Sequence, residues 1–176
     1  MSETETPTFG CDHYSRGCRI FAPCCSKWYG CRHCHNEDIE NSHRLDPKTI
    51  TTMECYSCKT AQPTQGNCTS CQMSMGTYYC AICHLFDNAS LEKGIFHCTD
   101  CGICRIGGRD NFYHCLPCGA CLANELRTNH KCVSDSTRQD CPICLEYMFD
   151  AREESRILRC GHAMHSSCFA KVASSR

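Results

Sequence analysis

The sequence has little of the material that builds a hydrophobic core. Leucine, isoleucine, valine and phenylalanine are sparse among its 176 residues, and no apolar run is long enough to span a bilayer. Small modules with so few apolar side chains need cross-links or bound metal ions to fold. The composition therefore excludes a large apolar core, and it predicts no membrane partner.

A basic tract is also absent. The 18 lysines and arginines are scattered along the chain and balanced by 19 aspartates and glutamates, which leaves a formal net charge of −1. Proteins that bind nucleic acids usually carry a basic patch. The charge pattern therefore predicts no nucleic-acid partner.

The N-terminal segment MSETETPTFG (1–10) lacks the basic and then apolar stretches of a secretory signal. An intracellular chain keeps its thiols reduced, which argues against a disulfide framework. The cysteine count of 23 is odd, whereas a fully disulfide-bonded chain needs an even number. We therefore expect the chain in the nucleus and cytoplasm, with its cysteines bound to metal.

The residue present in abundance is cysteine, and 10 histidines accompany the 23 cysteines. Zinc takes four Cys or His ligands in a tetrahedron, and a C-x-x-C pair supplies two of them from one turn. Such pairs span residues 31–34, 55–58, 68–71, 80–83, 98–101, 101–104, 115–118, 118–121 and 141–144. This density predicts structural zinc as the cofactor that holds the chain together.

Two of these stretches form a repeat, because HCTDCGIC (97–104) and HCLPCGAC (114–121) share the frame H-C-x-x-C-G-x-C. A compact tetrahedron usually takes two ligands from one turn and two from another. We therefore expect the third cysteine of each repeat to serve a different ion from the first two. The repeat predicts a chain of linked zinc sites.

An iron–sulfur cluster and a catalytic zinc ion are the alternatives to structural zinc. C-x-x-C-x-x-C opens a ferredoxin-type iron–sulfur motif, but that motif continues with x₃-C-P. Here RIGG follows Cys104 and LANE follows Cys121. A catalytic zinc site keeps an open position beside a general base. The sites are thiolate-rich, so we predict closed structural centres and no catalytic residue.

The cysteine pattern divides the chain into three blocks, residues 10–75, 76–132 and 141–176. The polar stretch VSDSTRQD (133–140) between the last two is interpreted as a short linker. Each block is too poor in apolar residues to fold without metal. The sequence thus predicts three zinc-stabilised modules.

The predicted fold class is small and irregular, with short strands, loops and little helix. β-Branched and aromatic residues predict strands around Ile50, at 78–79, and ahead of each repeat at Phe96 and Phe112. The stretch SSCFAKVA (166–173) has the composition of a helix start. We expect these elements to lead into the metal-binding turns.

Spacing groups the candidate ligands of the first block into three sites. The predicted sets are Cys55, Cys58, Cys68 and Cys71; Cys11, His13, Cys31 and Cys34; and Cys24, Cys25, His35 and His43. This leaves Cys18 and His33 spare. We interpret Cys18 as a buried or redundant thiol, since nothing in the sequence marks a base that would activate it.

The second block offers enough candidate ligands for three ions with one left over, and their pairing stays open. These candidates are Cys80, Cys83, His84, His97, Cys98, Cys101, Cys104, His114, Cys115, Cys118, Cys121, His130 and Cys132. Together with one complete site in the third block, the four-ligand rule predicts about seven zinc ions.

Each block resembles a known zinc module. CDHYSRGC…APCCSKWYGCRHCH resembles the CHY zinc finger, and YYCAICHLFD…FHCTDCGICRIGG…FYHCLPCGACLANEL…HKC resembles the CTCHY zinc finger. CPICLEYMF…LRCGHAMHSSCF resembles the start of a RING finger. In this order the blocks are similar to the RING and CHY zinc finger domain-containing ubiquitin ligases. The resemblance implies a CHY finger, a CTCHY left-handed β-spiral and a cross-braced RING. It implies a ubiquitin-conjugating enzyme and protein substrates as partners.

The RING pattern implies a role for each candidate of the third block. Cys141, Cys144, His165 and Cys168 would form the first RING site, Cys160 and His162 would form half of the second, and Ile143 would contact the conjugating enzyme. The final C-P-x-C pair of the pattern does not occur in these 176 residues. We therefore expect a truncated RING and an impaired ligase, with the alternative of a non-catalytic zinc scaffold that competes for the same partners.

Overall fold

The structure is a computed structural model that describes residues 9–174. It separates into two compact units, one ending at Ile95 and the other starting at Phe96. This boundary falls within the second predicted block, and the bounds of the three blocks stay predictions. In the part of the chain described, no helix has the length and apolar character to cross a bilayer.

The first unit is built on a four-stranded antiparallel sheet with the order β2-β1-β3-β4, followed by a separate hairpin of β5 and β6. Its elements are β1 (Cys18–Ala22), β2 (Lys27–Tyr29), α1 (Arg32–Asn36), a 3₁₀ turn (Pro47–Thr49), β3 (Thr52–Cys55), β4 (Ala61–Pro63), β5 (Tyr78–Cys80), β6 (Leu85–Asp87) and α2 (Ser90–Lys93). The sheet and the hairpin carry C-x-x-C turns at their ends.

The strand predicted around Ile50 forms two residues later, as β3. Residues before it are held in the 3₁₀ turn, because the Asp46 side chain caps the Lys48 N–H at 2.9 Å and the N–H of Ile50 bonds back to Pro47. The side chain of Ile50 is buried all the same. Local capping thus makes the strand begin later in the sequence, while Ile50 still packs in the core.

The second unit consists of three antiparallel hairpins and one helix. Its elements are β7 (Phe96–Cys98), β8 (Ile103–Arg105), β9 (Phe112–Cys115), β10 (Ala120–Ala123), β11 (Ser155–Ile157), β12 (Ala163–His165) and α3 (Ser166–Ser174), with short 3₁₀ turns at Arg109–Asn111 and Asn124–Leu126. The strands predicted ahead of each repeat and the helix predicted at 166–173 are confirmed.

Each repeat folds into one hairpin, and the two hairpins have the same register. His97 pairs with Cys104 in the first, and His114 pairs with Cys121 in the second. The glycine shared by the two motifs lies in the turn with positive φ, 71° at Gly102 and 63° at Gly119. Glycine reaches this conformation without the steric cost that a Cβ adds. The repeated motif therefore encodes a repeated hairpin.

The apolar core is divided into small clusters rather than gathered in one place. In the first unit one cluster joins Ile20, Ala22, Leu45 and Ile50, and another joins Cys18, Met53, Cys55, Cys68, Met75 and Phe86. The second unit has three, namely Phe96, Cys98, Cys101 and Phe149; Cys115, Cys118, Ala120 and Leu122; and Cys141, Met148, Ala163 and Cys168. Cysteines belong to four of these five clusters, as expected of a fold that metal holds together.

Candidate metal centres

One backbone turn recurs at six C-x-x-C pairs and sets up the metal-binding groups. The residue that follows the second cysteine has a left-handed conformation, with φ between 47° and 71°; these residues are Lys59, Gln72, His84, Gly102, Gly119 and Leu145. At five of the six, the N–H of this residue bonds to the carbonyl of the first cysteine at 2.8 to 3.1 Å. We call this five-residue turn the knuckle. It points both thiols of a pair toward one place.

The first of the groups joins Cys11, His13, Cys31 and Cys34, whose ligand atoms all lie within 4.8 Å of one another. Nδ1 of His13 lies 3.3 Å from the sulfur of Cys31 and 3.4 Å from that of Cys34. Cys31 also caps helix α1 by accepting the N–H of Cys34. These four residues are the set that spacing grouped for one ion.

A second group has four cysteines, Cys55, Cys58, Cys68 and Cys71, brought together by two knuckles. The sulfurs of Cys58 and Cys68 lie 3.4 Å apart, and those of Cys55 and Cys71 lie 3.7 Å apart. A hydrogen bond to the Thr60 hydroxyl lowers the pKa of Cys58 to about 6, so this thiol favours the thiolate form that zinc requires. Again the set is the one that spacing predicted.

Side chains of the third set predicted in the first block also lie close to one another. The sulfur of Cys24 lies 3.3 Å from Nε2 of His35, and the rings of His35 and His43 have centroids 4.9 Å apart. Cys25 follows Cys24, and its sulfur lies 4.0 Å from the hydroxyl of Tyr29, whose ring centroid lies 5.0 Å from that of His35. The adjacent cysteines and α1 thus bring these side chains to one side of the β1–β2 turn.

The two repeats share their ligands. Cys98 and Cys101 of the first repeat form a group with His114 and Cys121 of the second, and Cys115 and Cys118 form a group with His130 and Cys132. Cys104, the third cysteine of the first repeat, lies 3.8 Å from Nδ1 of His97 instead. Cys121, the third cysteine of the second repeat, therefore lies with the ligands of the first repeat and apart from Cys115 and Cys118. This is the arrangement that the spacing predicts, and the separate ions stay a prediction.

Hydrogen bonds within the shared group favour ionised sulfur. The sulfurs of Cys101 and Cys121 lie 3.5 Å apart. The hydrogen bond from Cys121 and the nearby Arg105 guanidinium lower the pKa of Cys101, while this thiolate raises the pKa of Cys121. One of the two thiols is therefore readily ionised, which is the form that binds zinc.

At the knuckle between β5 and β6, Cys80 and Cys83 are both buried, and the N–H of Cys83 bonds to the sulfur of Cys80 at 3.4 Å. His84 occupies the left-handed position of this knuckle. Its Nδ1 lies 3.0 Å from the Thr64 hydroxyl, and burial lowers its pKa. The Thr64 hydroxyl thus accounts for Nδ1 of His84, and the ligand role of His84 stays a prediction.

In the third block the first predicted site is brought together by one knuckle and the start of α3. The sulfur of Cys144 lies 3.2 Å from Nδ1 of His165, and Cys168 lies in one buried cluster with Cys141. Burial raises the pKa of Cys141, but backbone hydrogen bonds outweigh it and bring the pKa to about 6. Cys160 and His162, by contrast, are exposed.

The hydrogen bonds of three histidines test whether these groups suit a zinc ion. A zinc-bound histidine almost always donates its other ring nitrogen to a carboxylate, a carbonyl or water. His13 faces Glu37 at 2.9 Å, His35 faces the Asn36 side chain at 2.9 Å, and His130 faces the Leu126 carbonyl at 2.6 Å. Each of the three turns its remaining nitrogen toward thiols. The donor sets fit structural zinc, and the chain is a zinc-binding protein.

The two residues predicted to be spare lie beside these centres. Cys18 is fully buried, and burial raises its pKa to about 11, so it remains a neutral thiol packed in the core. The ring of His33 packs against His13 and Tyr14. All 23 cysteines lie in the described part of the chain, and none of them forms a disulfide.

Sequence reasoning missed the residues that support the ligands. Glu37 lies 24 positions from His13, and no spacing rule connects such a pair. Arg105 was also missed, although it could have been found by aligning the two repeats. It occupies the position after the third cysteine, where the second repeat has Leu122.

Two family models match the chain. The CHY zinc finger matches residues 11–78, and the Ring finger domain matches residues 139–176. Together these matches cover the first unit's metal groups up to β5 and all of the third block. No part of either match includes the two repeats.

Similar proteins match nearly the whole chain. E3 ubiquitin-protein ligase SRFP1 of Oryza sativa subsp. japonica is 50% identical over 164 residues, 93% of this chain and 63% of that protein. E3 ubiquitin-protein ligase RZFP34 of Arabidopsis thaliana is 44% identical over 175 residues, 96% of this chain and 60% of that protein. Zinc finger protein BRUTUS of Arabidopsis thaliana is 43% identical over 173 residues, 95% of this chain and 13% of that protein. The chain spans less than two thirds of the length of each.

Proposed function

Because the chain belongs to the RING and CHY zinc finger domain-containing family, we propose that it acts in the transfer of ubiquitin to proteins. The RING residues recruit a ubiquitin-conjugating enzyme, and the zinc modules that precede them bind the protein substrate. Two of the similar proteins are named E3 ubiquitin-protein ligases, which supports the proposal. We also propose that the chain is located in the nucleus and cytoplasm.

The observation that carries the proposal is the loop held by the first RING site. The ligands Cys141 and Cys144 flank a short turn that presents apolar side chains to solvent. Ile143 is 48% exposed, and Leu145 is 74% exposed. Exposed apolar groups fixed on a rigid turn suit a protein partner better than free solvent. Ile143 is the position at which the RING pattern contacts the conjugating enzyme.

The mechanism needs no catalytic side chain from this protein. A RING brings the charged conjugating enzyme and the acceptor amine together, and holding two reactants in place lowers the entropic part of the barrier. Cys141, Cys144, His165 and Cys168 would hold a zinc ion, and such an ion would stabilise the loop that carries Ile143. The bond that breaks is the thioester on the conjugating enzyme, and this chain orients it.

The second RING site determines the rate of ubiquitin transfer that we expect from this chain. Cys160 and His162 are exposed side chains, and an ion held by only two protein ligands binds weakly. We propose that the 176-residue chain therefore supports transfer more slowly than a version with all eight RING ligands. The alternative function is a non-catalytic scaffold that binds the same partners without promoting transfer.

A thioester discharge assay tests the proposal. The conjugating enzyme, charged with ubiquitin, is mixed with free lysine and either the 176-residue chain or the same chain extended by a C-P-x-C segment. We expect the extended chain to accelerate discharge, the 176-residue chain to do so more slowly, and Ile143→Ala to abolish the acceleration in both. Lys171→Ala, on the exposed side of α3, serves as the surface control.

The outcomes separate the proposals. Equal rates for the two chains would reject the impairment at the second site and leave the ligase function standing. No acceleration by either chain, together with Ile143-dependent binding of the conjugating enzyme, would favour the scaffold. Absence of both binding and acceleration would reject the role in ubiquitin transfer.

A further inference from the structure

Arg105 connects a zinc centre of the repeats with the third block. It lies at the end of β8, directly after Cys104. Its Nη1 donates to the backbone carbonyl of Phe149 at 2.8 Å, and its Nη2 donates to the sulfur of Cys101 at 3.7 Å. A single guanidinium therefore contacts a metal ligand and a residue 44 positions farther along the chain.

Phe149 is held at this place by several neighbours. Its ring lies 4.7 Å from the guanidinium carbon of Arg105 and 3.8 Å from that of Arg138, both within the range of cation–π attraction. The side chain is buried in the cluster that contains Phe96, Cys98 and Cys101. Phe149 thus belongs to the same buried cluster as two ligands of the shared centre.

The charge of the centre favours a cation beside it. When zinc is bound by three thiolates and one neutral imidazole, three negative charges exceed the two positive charges of the ion, which leaves a net charge of −1. An arginine N–H bonded to such a thiolate makes a charge-assisted hydrogen bond. Nε of Arg105 is buried without a hydrogen-bond partner, and Nη2 donates to the sulfur of Cys101.

We propose that Arg105 couples the zinc centre of Cys98, Cys101, His114 and Cys121 to the position of Phe149 at the start of the RING finger. With zinc bound, the thiolate of Cys101 holds the guanidinium, which in turn holds the Phe149 carbonyl and ring. Loss of this ion leaves the knuckle of Cys98 and Cys101 without its metal anchor, so the contacts of Arg105 with Cys101 and Phe149 loosen. The coupling does not depend on ubiquitin transfer, because all of its contacts lie within the second unit.

The second repeat shows that the motif itself does not require an arginine here. Its equivalent residue is Leu122, which is 4% exposed and packs with Cys115 and Cys118. Leu122 supplies no charge to its centre. The arginine therefore serves something that only the first repeat has, and the feature specific to that repeat is the contact with Phe149.

Two readouts on the zinc-loaded chain test the coupling. The first is retention of zinc against a chelator, counted by native mass spectrometry. The second is amide hydrogen exchange of a peptide that covers residues 145–151. Residues that orient metal ligands change metal affinity by about 10- to 100-fold when they are substituted. For Arg105→Gln we expect one ion to be released about tenfold faster and the peptide to exchange faster.

Arg109→Gln is the matched control, because Arg109 also lies over a ring of the same cluster, 5.6 Å from the centroid of Phe96. Its hydrogen bond is to the Phe112 carbonyl at 3.5 Å, not to a thiolate. We expect this variant to keep all its ions and the exchange of the wild-type chain. Arg105→Lys keeps the charge without the planar fork, and it should fall between the wild type and Arg105→Gln.

The two readouts must change together. Faster exchange at 145–151 with unchanged zinc retention would make Arg105 a packing residue and overturn the coupling. Unchanged exchange with faster zinc release would also overturn it, since the signal would not reach Phe149. If Arg105→Gln fails to fold, Arg105→Lys is compared with Arg109→Gln instead. The coupling then requires that Arg105→Lys releases zinc faster and exchanges faster at 145–151 than Arg109→Gln does.

Discussion

The repeats at 97–104 and 114–121 use one motif for one kind of metal chemistry, but their surroundings differ. Both form hairpins of identical register, with a glycine of positive φ in each knuckle. Both place a cysteine pair against a histidine and a further cysteine from later in the chain. The positions that bind metal are thus held constant by the tetrahedral geometry of zinc.

The positions beside the ligands are where the repeats diverge. The residue before the first histidine is Phe96 in one repeat and Tyr113 in the other, and the residue after the third cysteine is Arg105 or Leu122. Arg105 contacts Phe149 through a charged group, whereas the apolar cluster of Leu122 packs against Ile157 of β11. Both repeats therefore support the third block, one by polar contacts and the other by apolar burial.

The largest expected effect comes from breaking the sharing of ligands between the repeats. Cys121→Ser should remove the ion of Cys98 and Cys101, because structural zinc contributes about 10–16 kcal/mol of apparent binding free energy and a three-ligand site loses much of it. Alkylation followed by mass spectrometry should then label Cys98 and Cys101 while Cys115 and Cys118 remain protected.

Cys104→Ser is the matched control for that experiment. Cys104 lies beside His97 and outside the group of Cys98 and Cys101, so both of these thiols should stay protected. Labelling of Cys115 in the Cys121→Ser chain, with Cys98 still protected, would show that each repeat binds its own ion and would contradict the shared arrangement.

An intermediate effect is expected from Leu122→Ala, which tests the apolar support of the second repeat. Leu122 is 4% exposed, and truncation of a buried leucine to alanine usually costs about 2–5 kcal/mol of unfolding free energy. Urea unfolding at a fixed free zinc concentration measures the loss. Leu116→Ala, in the same repeat but 78% exposed, should change the unfolding free energy by less than about 0.5 kcal/mol. Equal losses in the two variants would show that Leu122 carries no packing role.

The smallest effect concerns the tyrosine that distinguishes the second repeat. The Tyr113 hydroxyl lies 3.2 Å from Nδ1 of His130 and donates to the Leu126 carbonyl at 3.2 Å. Tyr113→Phe makes this position resemble Phe96, and we expect a loss of about 0.5–1.5 kcal/mol, the usual net value of one hydrogen bond. The same urea measurement applies. Release of the ion held by His130 would contradict the expectation, since His130 keeps its 2.6 Å contact with Leu126.

Much of this molecule could be predicted from residues that are close in sequence. The C-x-x-C pairs indicated zinc, the aromatic stretches ahead of each repeat indicated the strands, and the spacing grouped Cys11, His13, Cys31 and Cys34. These features depend on a few consecutive backbone angles, and a knuckle of five residues specifies them locally.

The sequence by itself determined the metal, the knuckles and the hairpins, because thiolate chemistry and turn geometry act over a few residues. Only the tertiary structure decided which supporting residue meets which ligand. Glu37 reaches His13 across 24 positions, and Arg105 reaches Phe149 across 44. Such contacts depend on how the chain returns between knuckles, and no local pattern of charge or spacing encodes that path.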